Sequence, residues 1–183
     1  VVACDPHASE GVAIAGTGTW SATTQEFQLH DAGCCVTVFG GNVVPVVAIG
    51  DRVRVEGTVV SFNGKTEISS PGLVVTILSS GNPIPAPDDV TTFELSVNGE
   101  LYESCLIRVQ CVTMTGGTWP LDGENQNITI DDGSGATTMR IDRDTNVDGS
   151  PAPTGPFTCI GIADQFDTTL PYGDGFQIKP RSL

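Results

Sequence analysis

The sequence predicts an all-β protein built from two copies of one five-stranded unit, and three observations predict it. Short segments of alternating or β-branched character recur along the 183 residues, each bounded by Gly, Asn, Pro or Asp. The second part of the chain can be laid on the first. Thr, Ser, Gly, Val and Asn dominate while lysine occurs only at Lys65 and Lys179, a composition suited to pleated sheets and tight turns, so helices are expected to be minor or absent.

Strands are expected at 11–20, 26–30, 35–39, 52–62, 65–69 and 73–78, then at 104–113, 127–131, 137–142, 157–166 and 175–180. Asn63-Gly64, between Val59-Val60-Ser61-Phe62 and Lys65-Thr66-Glu67-Ile68, is the sharpest local signal, because Asn-Gly supplies the two positive φ angles of a two-residue hairpin. Asn82-Pro83-Ile84-Pro85-Ala86-Pro87 reads as a semi-rigid joint. The expected organisation is a tail over 1–10, a first unit over 11–81, a linker and connecting segment over 82–103, and a second unit over 104–183.

The repeat rests on paired stretches. Phe27-Gln28-Leu29-His30 corresponds to Ile128-Thr129-Ile130-Asp131, and the run from Val55 to Phe62 corresponds to the run from Cys159 to Phe166, each with a glycine third. One strand, a hairpin, a connection and a second hairpin is the order of an OB-fold, a small Greek-key barrel, so the expected architecture is two tandem OB-fold-like barrels. Residues 40–50 and 143–155 stand where many such barrels insert a helix, but both carry Pro and Gly and are expected to be loops.

On these same residues a resemblance can be stated. Gly50-Asp51-Arg52-Val53-Arg54-Val55-Glu56-Gly57 with Phe62-Asn63-Gly64-Lys65, and later Gln165-Phe166-Asp167 with Gly175-Phe176-Gln177-Ile178-Lys179, resemble tandem OB-fold modules of bacterial secreted proteins, including those attached to extracellular nucleases. The resemblance runs from Gly11 onward. It implies the fold, because its motifs are structural.

Eight Lys and Arg against 22 Asp and Glu give a net charge of −14. Arg52 and Arg54 alternate along one strand, and Arg108, Arg140, Arg143 and Arg181 are scattered among acids, so phosphate backbones meet repulsion and a nucleic-acid partner is not expected. Strands two and three offer bases only Phe27, His30 and Phe39 in the first unit and Arg140 in the second. An enzyme is not expected either. The histidines are His7 and His30, no Gly-x-Ser-x-Gly elbow occurs, and Asp88-Asp89 and Asp131-Asp132 sit in linker and turn contexts.

No cofactor is required by these residues, with one candidate ion. Asp144-Thr145-Asn146-Val147-Asp148-Gly149 fits the opening of a calcium loop, although Gly155 occupies the place of the closing glutamate. The candidate ligands are Asp142, Asp144, Asn146 and Asp148, against an Asx-rich turn that binds nothing.

Six cysteines without metal-site spacing suggest disulfides in an oxidising compartment. Cys105 and Cys111 would lie roughly 20 Å apart on an extended strand and cannot pair with each other. Cys111 with Cys159 is the preferred bridge and Cys105 with Cys159 the second choice. Cys34 and Cys35 point to opposite faces, leaving one to reach Cys4 and the other to reach Cys105 or another chain. Asn127-Ile128-Thr129 has the form of a glycosylation sequon. A start at Val1, with no apolar run of membrane-spanning length, reads as a mature product at a bacterial cell surface or outside it.

Two functions compete. The preferred one is a structural subunit of an extracellular filament or adhesive appendage, built from copies of this chain with residues 1–10 donated to a neighbour's open sheet edge. The alternative is a secreted OB-fold module that binds nucleic acid or glycan, akin to accessory domains of extracellular nucleases.

Overall fold

A computed structural model describes residues 8–23, 25–41 and 45–183. The first five strands are β1 (Ala8–Ala15), β2 (Gln25–Asp31), β3 (Cys34–Gly41), β4 (Arg52–Phe62) and β5 (Lys65–Ser79). They close a barrel in the order β1-β2-β3-β5-β4, antiparallel except for β3 and β5. Alternation places each strand. In β4, Val53 and Val55 point into the barrel while Arg52, Arg54 and Glu56 point out. Asn63 (φ 52°) and Gly64 (φ 92°) make the expected hairpin between β4 and β5. The expected strands 65–69 and 73–78 are one strand, β5.

The second sheet follows: β6 (Asp88–Asp89), helix α1 (Thr92–Asn98), a 3-10 turn (Gly99–Leu101), β7 (Leu106–Gly116), β8 (Gln126–Asp131), β9 (Thr137–Ile141), β10 (Phe157–Gln165) and β11 (Phe176–Pro180). Its order is β10-β11-β9-β8-β7-β6, and β10 also pairs with β7. The five pairings of the first barrel therefore recur, including the parallel one, here between β9 and β11. The stretch 82–103, expected to be a linker, carries the one helix among the described residues. Thr91 caps it by accepting the Glu94 backbone N–H at 3.0 Å, and Leu95 is buried beneath it.

Each sheet wraps its own apolar core, the first around Phe27, Leu29, Val38 and Val53, the second around Ile107, Ile128, Ile130, Met139 and Ile178. A third, smaller core joins them: Ile14, Ala15 and Trp20 against Leu106 and Ile162, with half-buried Cys35 alongside. Here Cys35 and Cys105 form a disulfide across 70 residues of sequence.

That bridge corrects the preferred pairings. Cys111 and Cys159 are free thiols, so neither the Cys111–Cys159 bridge nor the Cys105–Cys159 bridge forms. The reason is a bulge. Opposite β10 the register of β7 slips between Val109 and Val112, Cys111 takes a φ of 55°, and its side chain turns out to solvent beside Gln110. Cys159 points the other way, into the core, where burial pushes its thiol pKa up to about 12. Cys4, and most of the tail proposed as a donor strand, lie outside the described residues.

The disulfide and the small third core hold the sheets together, so Cys105→Ala is expected to cost about 2–5 kcal/mol of stability, read by denaturant unfolding under non-reducing conditions. A midpoint equal to that of the unmodified protein would remove the bridge from this role.

Candidate ligand cleft between the sheets

The β4–β5 hairpin docks on the end of β10. Asp167 donates its backbone N–H to the Asn63 carbonyl at 2.7 Å, and the positive φ of 92° at the hairpin tip favours glycine at Gly64, over which the end of the Gln165 side chain lies. Glu103, ahead of β7, accepts the Thr66 N–H at 2.9 Å, while its other oxygen is buried without a hydrogen-bond partner.

Behind the hairpin lies a buried ionic network. Lys65 Nζ stands 3.2 Å from Glu67, 3.4 Å from Glu26 and 3.4 Å from Asp164, the first two on the barrel and the third on the second sheet. Lys179 approaches the other oxygen of Asp164 at 3.8 Å and lies 4.2 Å from the centre of the Trp20 ring. Neutral groups complete it: Trp20 donates to Gln28 at 3.0 Å, Gln28 to Glu26 at 2.9 Å and Gln177 to Asp164 at 3.0 Å, and the hydroxyls of Thr37 and Ser104 meet at 2.8 Å.

Burial disfavours a charge in this place, but pairing outweighs it for Lys65 and Asp164. Lys65 is held above the usual lysine range, since Asp164, Glu26 and Glu67 outweigh burial, and Asp164 is held below the usual carboxylate range by Lys65 and Lys179. Glu67 is the exception, raised because burial outweighs Lys65. Glu103 is pushed up to about 7 by burial and by Glu100 and Asp164, against the Thr66 N–H and Lys65.

This network floors a cleft of about 260 Å³ whose walls include Phe62, Asn127, Arg140, Asp142 and Phe166. Both lysines of the chain are in it. The register pairs Gln177 with Thr138, and two residues further on Lys179 stands beside Arg140 on the same sheet face. Arg140 donates to Asn127 at 3.2 Å and, among the described residues, has no carboxylate within salt-bridge distance. Phe62 and Phe166, which correspond in the repeat, are each 58% exposed. The cleft can therefore offer an anion one unneutralised guanidinium and offer a flat group two phenyl faces.

The sequence does not reveal this site because its residues come from both sheets; of its lining, Arg140, Asn127 and Asp142 stand out in the sequence, but as a scattered cation, a sequon and a candidate calcium ligand. Each candidate calcium ligand has a protein partner of its own. Asp148 accepts the Gly123 N–H at 2.6 Å, Asn146 the Leu183 N–H at 2.9 Å, and Asp142 the Asp144 N–H at 3.1 Å, while Asp144 faces Arg143 at 3.9 Å. Asp142 thus caps a local turn while Asp148 and Asn146 hold distant segments, and among the described residues no group of three or more His, Cys, Asp or Glu is placed to hold a metal. No described helix is long and apolar enough to cross a membrane.

The class these features define is a mostly β protein with an OB-like closed barrel and a second sheet of the same pairing scheme. No protein-family model matches the chain. It is 28% identical over 140 residues to Endonuclease YhcR of Bacillus subtilis (strain 168), a match over 75% of this chain and 11% of that protein. The chain thus spans about a tenth of that relative's length. Among solved structures, a murine DNA-binding protein bound with double-stranded DNA is 11% identical with a TM-score of 0.44, covering 94% of this chain and 90% of that one. The tetrameric p202 HIN2 is 12% identical with a TM-score of 0.39, covering 95% and 88%. Likeness this remote says nothing about ligands.

The raised acids fix a pH dependence. A carboxyl with a folded pKa above its ordinary 4.5 holds its proton more tightly when folded, so its contribution is present below that value and is lost as pH rises toward about 7. Glu67 acts with the same sign; Asp164, held low, acts oppositely but only in more acid solution. The urea midpoint should therefore fall from about pH 5 to about pH 8, and fall less in Glu103→Gln. An unchanged profile in that variant would deny Glu103 this part.

Proposed function

We propose that this chain is a non-catalytic, OB-fold-like binding module of a secreted nuclease system, and that it takes nucleic acid in the cleft between its sheets. In this reading residues 104–183 form a second OB-like barrel. The observation that carries the proposal is Arg140, a cation with no carboxylate partner among the described residues, in a cleft flanked by the exposed rings of Phe62 and Phe166. A guanidinium suits a phosphate and the rings suit bases.

The net charge of −14 counts against long-range attraction, and carboxylates neutralise Lys65 and Lys179, so what a phosphate would gain here is short-range contact with the Arg140 guanidinium. The likeness to a stretch of an endonuclease lends the proposal its setting. The disulfide agrees with an oxidising, extracellular compartment. The head-to-tail filament gains no comparable observation: Ala8–Ala15 is a strand of its own barrel, paired with both β2 and β4, and residues 1–7 lie outside the described residues.

Fluorescence anisotropy with labelled single-stranded and duplex oligonucleotides at low salt tests the reading. Binding is expected to weaken as salt rises, to drop about tenfold or more in Arg140→Gln, and to lose about 1–3 kcal/mol in Phe62→Ala or Phe166→Ala, with the oligonucleotide left uncut. Absence of binding at low salt, or equal affinity in Arg140→Gln, would contradict it.

A further inference from the structure

β5 does not stop where the barrel closes. It pairs with β3 only through Glu67–Ser69, and beyond Gly72 it continues to Ser79 with β4 as its one partner among the described residues. Among the described residues, one edge of 74–78 therefore has no strand partner and offers its N–H and C=O groups as a template for another strand, while the Ser79 carbonyl accepts from the Asn82 side chain at 3.3 Å. The side chains there are apolar and open to solvent: Val74 is 55% exposed, Leu78 41% and Ile77 38%.

Such edges are usually blunted by charge, proline or shortness. This one has none of those guards. No proline falls between Pro71 and Pro83, and no charged residue falls between Glu67 and Asp88. On the adjoining strands Arg52 and Arg54 stand against Glu10 and Glu56, so the strip is locally neutral within a chain of net charge −14. Two copies of this chain repel each other over most of their surfaces. Here repulsion is least and the open backbone coincides with it.

We infer that this edge joins two copies of the chain by antiparallel pairing of residues 74–78 with the same residues of a second copy, Thr76 opposite Thr76 and Val74 opposite Leu78. Antiparallel self-pairing is isologous, so it closes on a two-fold axis and satisfies both edges at once. Val74, Thr76 and Leu78 then meet across the axis as apolar and β-branched cross-strand pairs with no like charges opposed. The contact lies beside Arg52–Glu56, at the far end of β4 from Phe62, and leaves the cleft open. It is closed rather than head-to-tail, so it makes a dimer and no filament.

Sedimentation equilibrium of the full chain from micromolar to millimolar concentration tests this. A monomer–dimer equilibrium is expected, tightening as salt screens the net charge, and weakening about tenfold or more when like charges are opposed in Val74→Lys/Leu78→Lys. Leu170→Lys, at a 74% exposed site, should leave it unchanged. Hydrogen exchange on the unmodified chain supplies a readout free of any variant: the amides of 74–78 should slow as concentration rises. A monomer at millimolar concentration in high salt, a dimer indifferent to the double variant, or exchange independent of concentration would each overturn the proposal.

Discussion

One buried ion pair organises the molecule: Lys65 of the first barrel and Asp164 of the second sheet, 3.4 Å apart and both almost out of water. Two charges withdrawn from solvent cost several kcal/mol each unless geometry and further hydrogen bonds compensate them. Around this pair they do, through Glu26, Glu67, Lys179 and Gln177. The arrangement exists only when the β4–β5 hairpin sits on β10, so the network fixes the relative placement of the two sheets in a way that their small apolar contact does not. An apolar contact tolerates sliding; five charges in register do not.

The cleft is a consequence of that placement. Phe62 stands at the end of β4 and Phe166 just beyond β10, and docking brings these repeat-related rings to one site, over the floor that Lys65, Asp164 and Lys179 provide. Arg140 contributes what the floor lacks. The lysines are neutralised by their carboxylates, so the charge left over in the cleft is the guanidinium that no acid among the described residues pairs with. The shape of the cleft is thus coupled to the contact between the sheets, and Glu103, clamped on the Thr66 N–H, makes that contact sensitive to pH near neutrality.

Elements governed by local chemistry were legible in the sequence. The bounds of β4 and the Asn63-Gly64 hairpin emerge as read, because alternation and a two-residue turn are set by neighbours in the chain. Helix α1 was readable too, since Thr91 and Glu94 stand at capping-box spacing ahead of Leu95, but the prolines just before it suggested a linker. The disulfide was not ranked correctly: a bulge at Cys111 reverses the side chain, and nothing in the strand's alternation announces it. The cleft was out of reach because it depends on how two separately folded sheets meet. One signal was available, namely that a chain of 22 acids keeps only two lysines, which is reason to ask what each of them neutralises.

A double-mutant cycle on Lys65→Met and Asp164→Leu, followed by denaturant unfolding, tests the central claim most directly. If the pair locks the sheets, each single variant leaves an uncompensated buried charge and loses about 3–5 kcal/mol, while the double variant recovers part of that loss, giving a coupling energy of about 1–3 kcal/mol. Losses that simply add, with no coupling, would mean that the two residues act separately and that some other contact sets the sheets against each other.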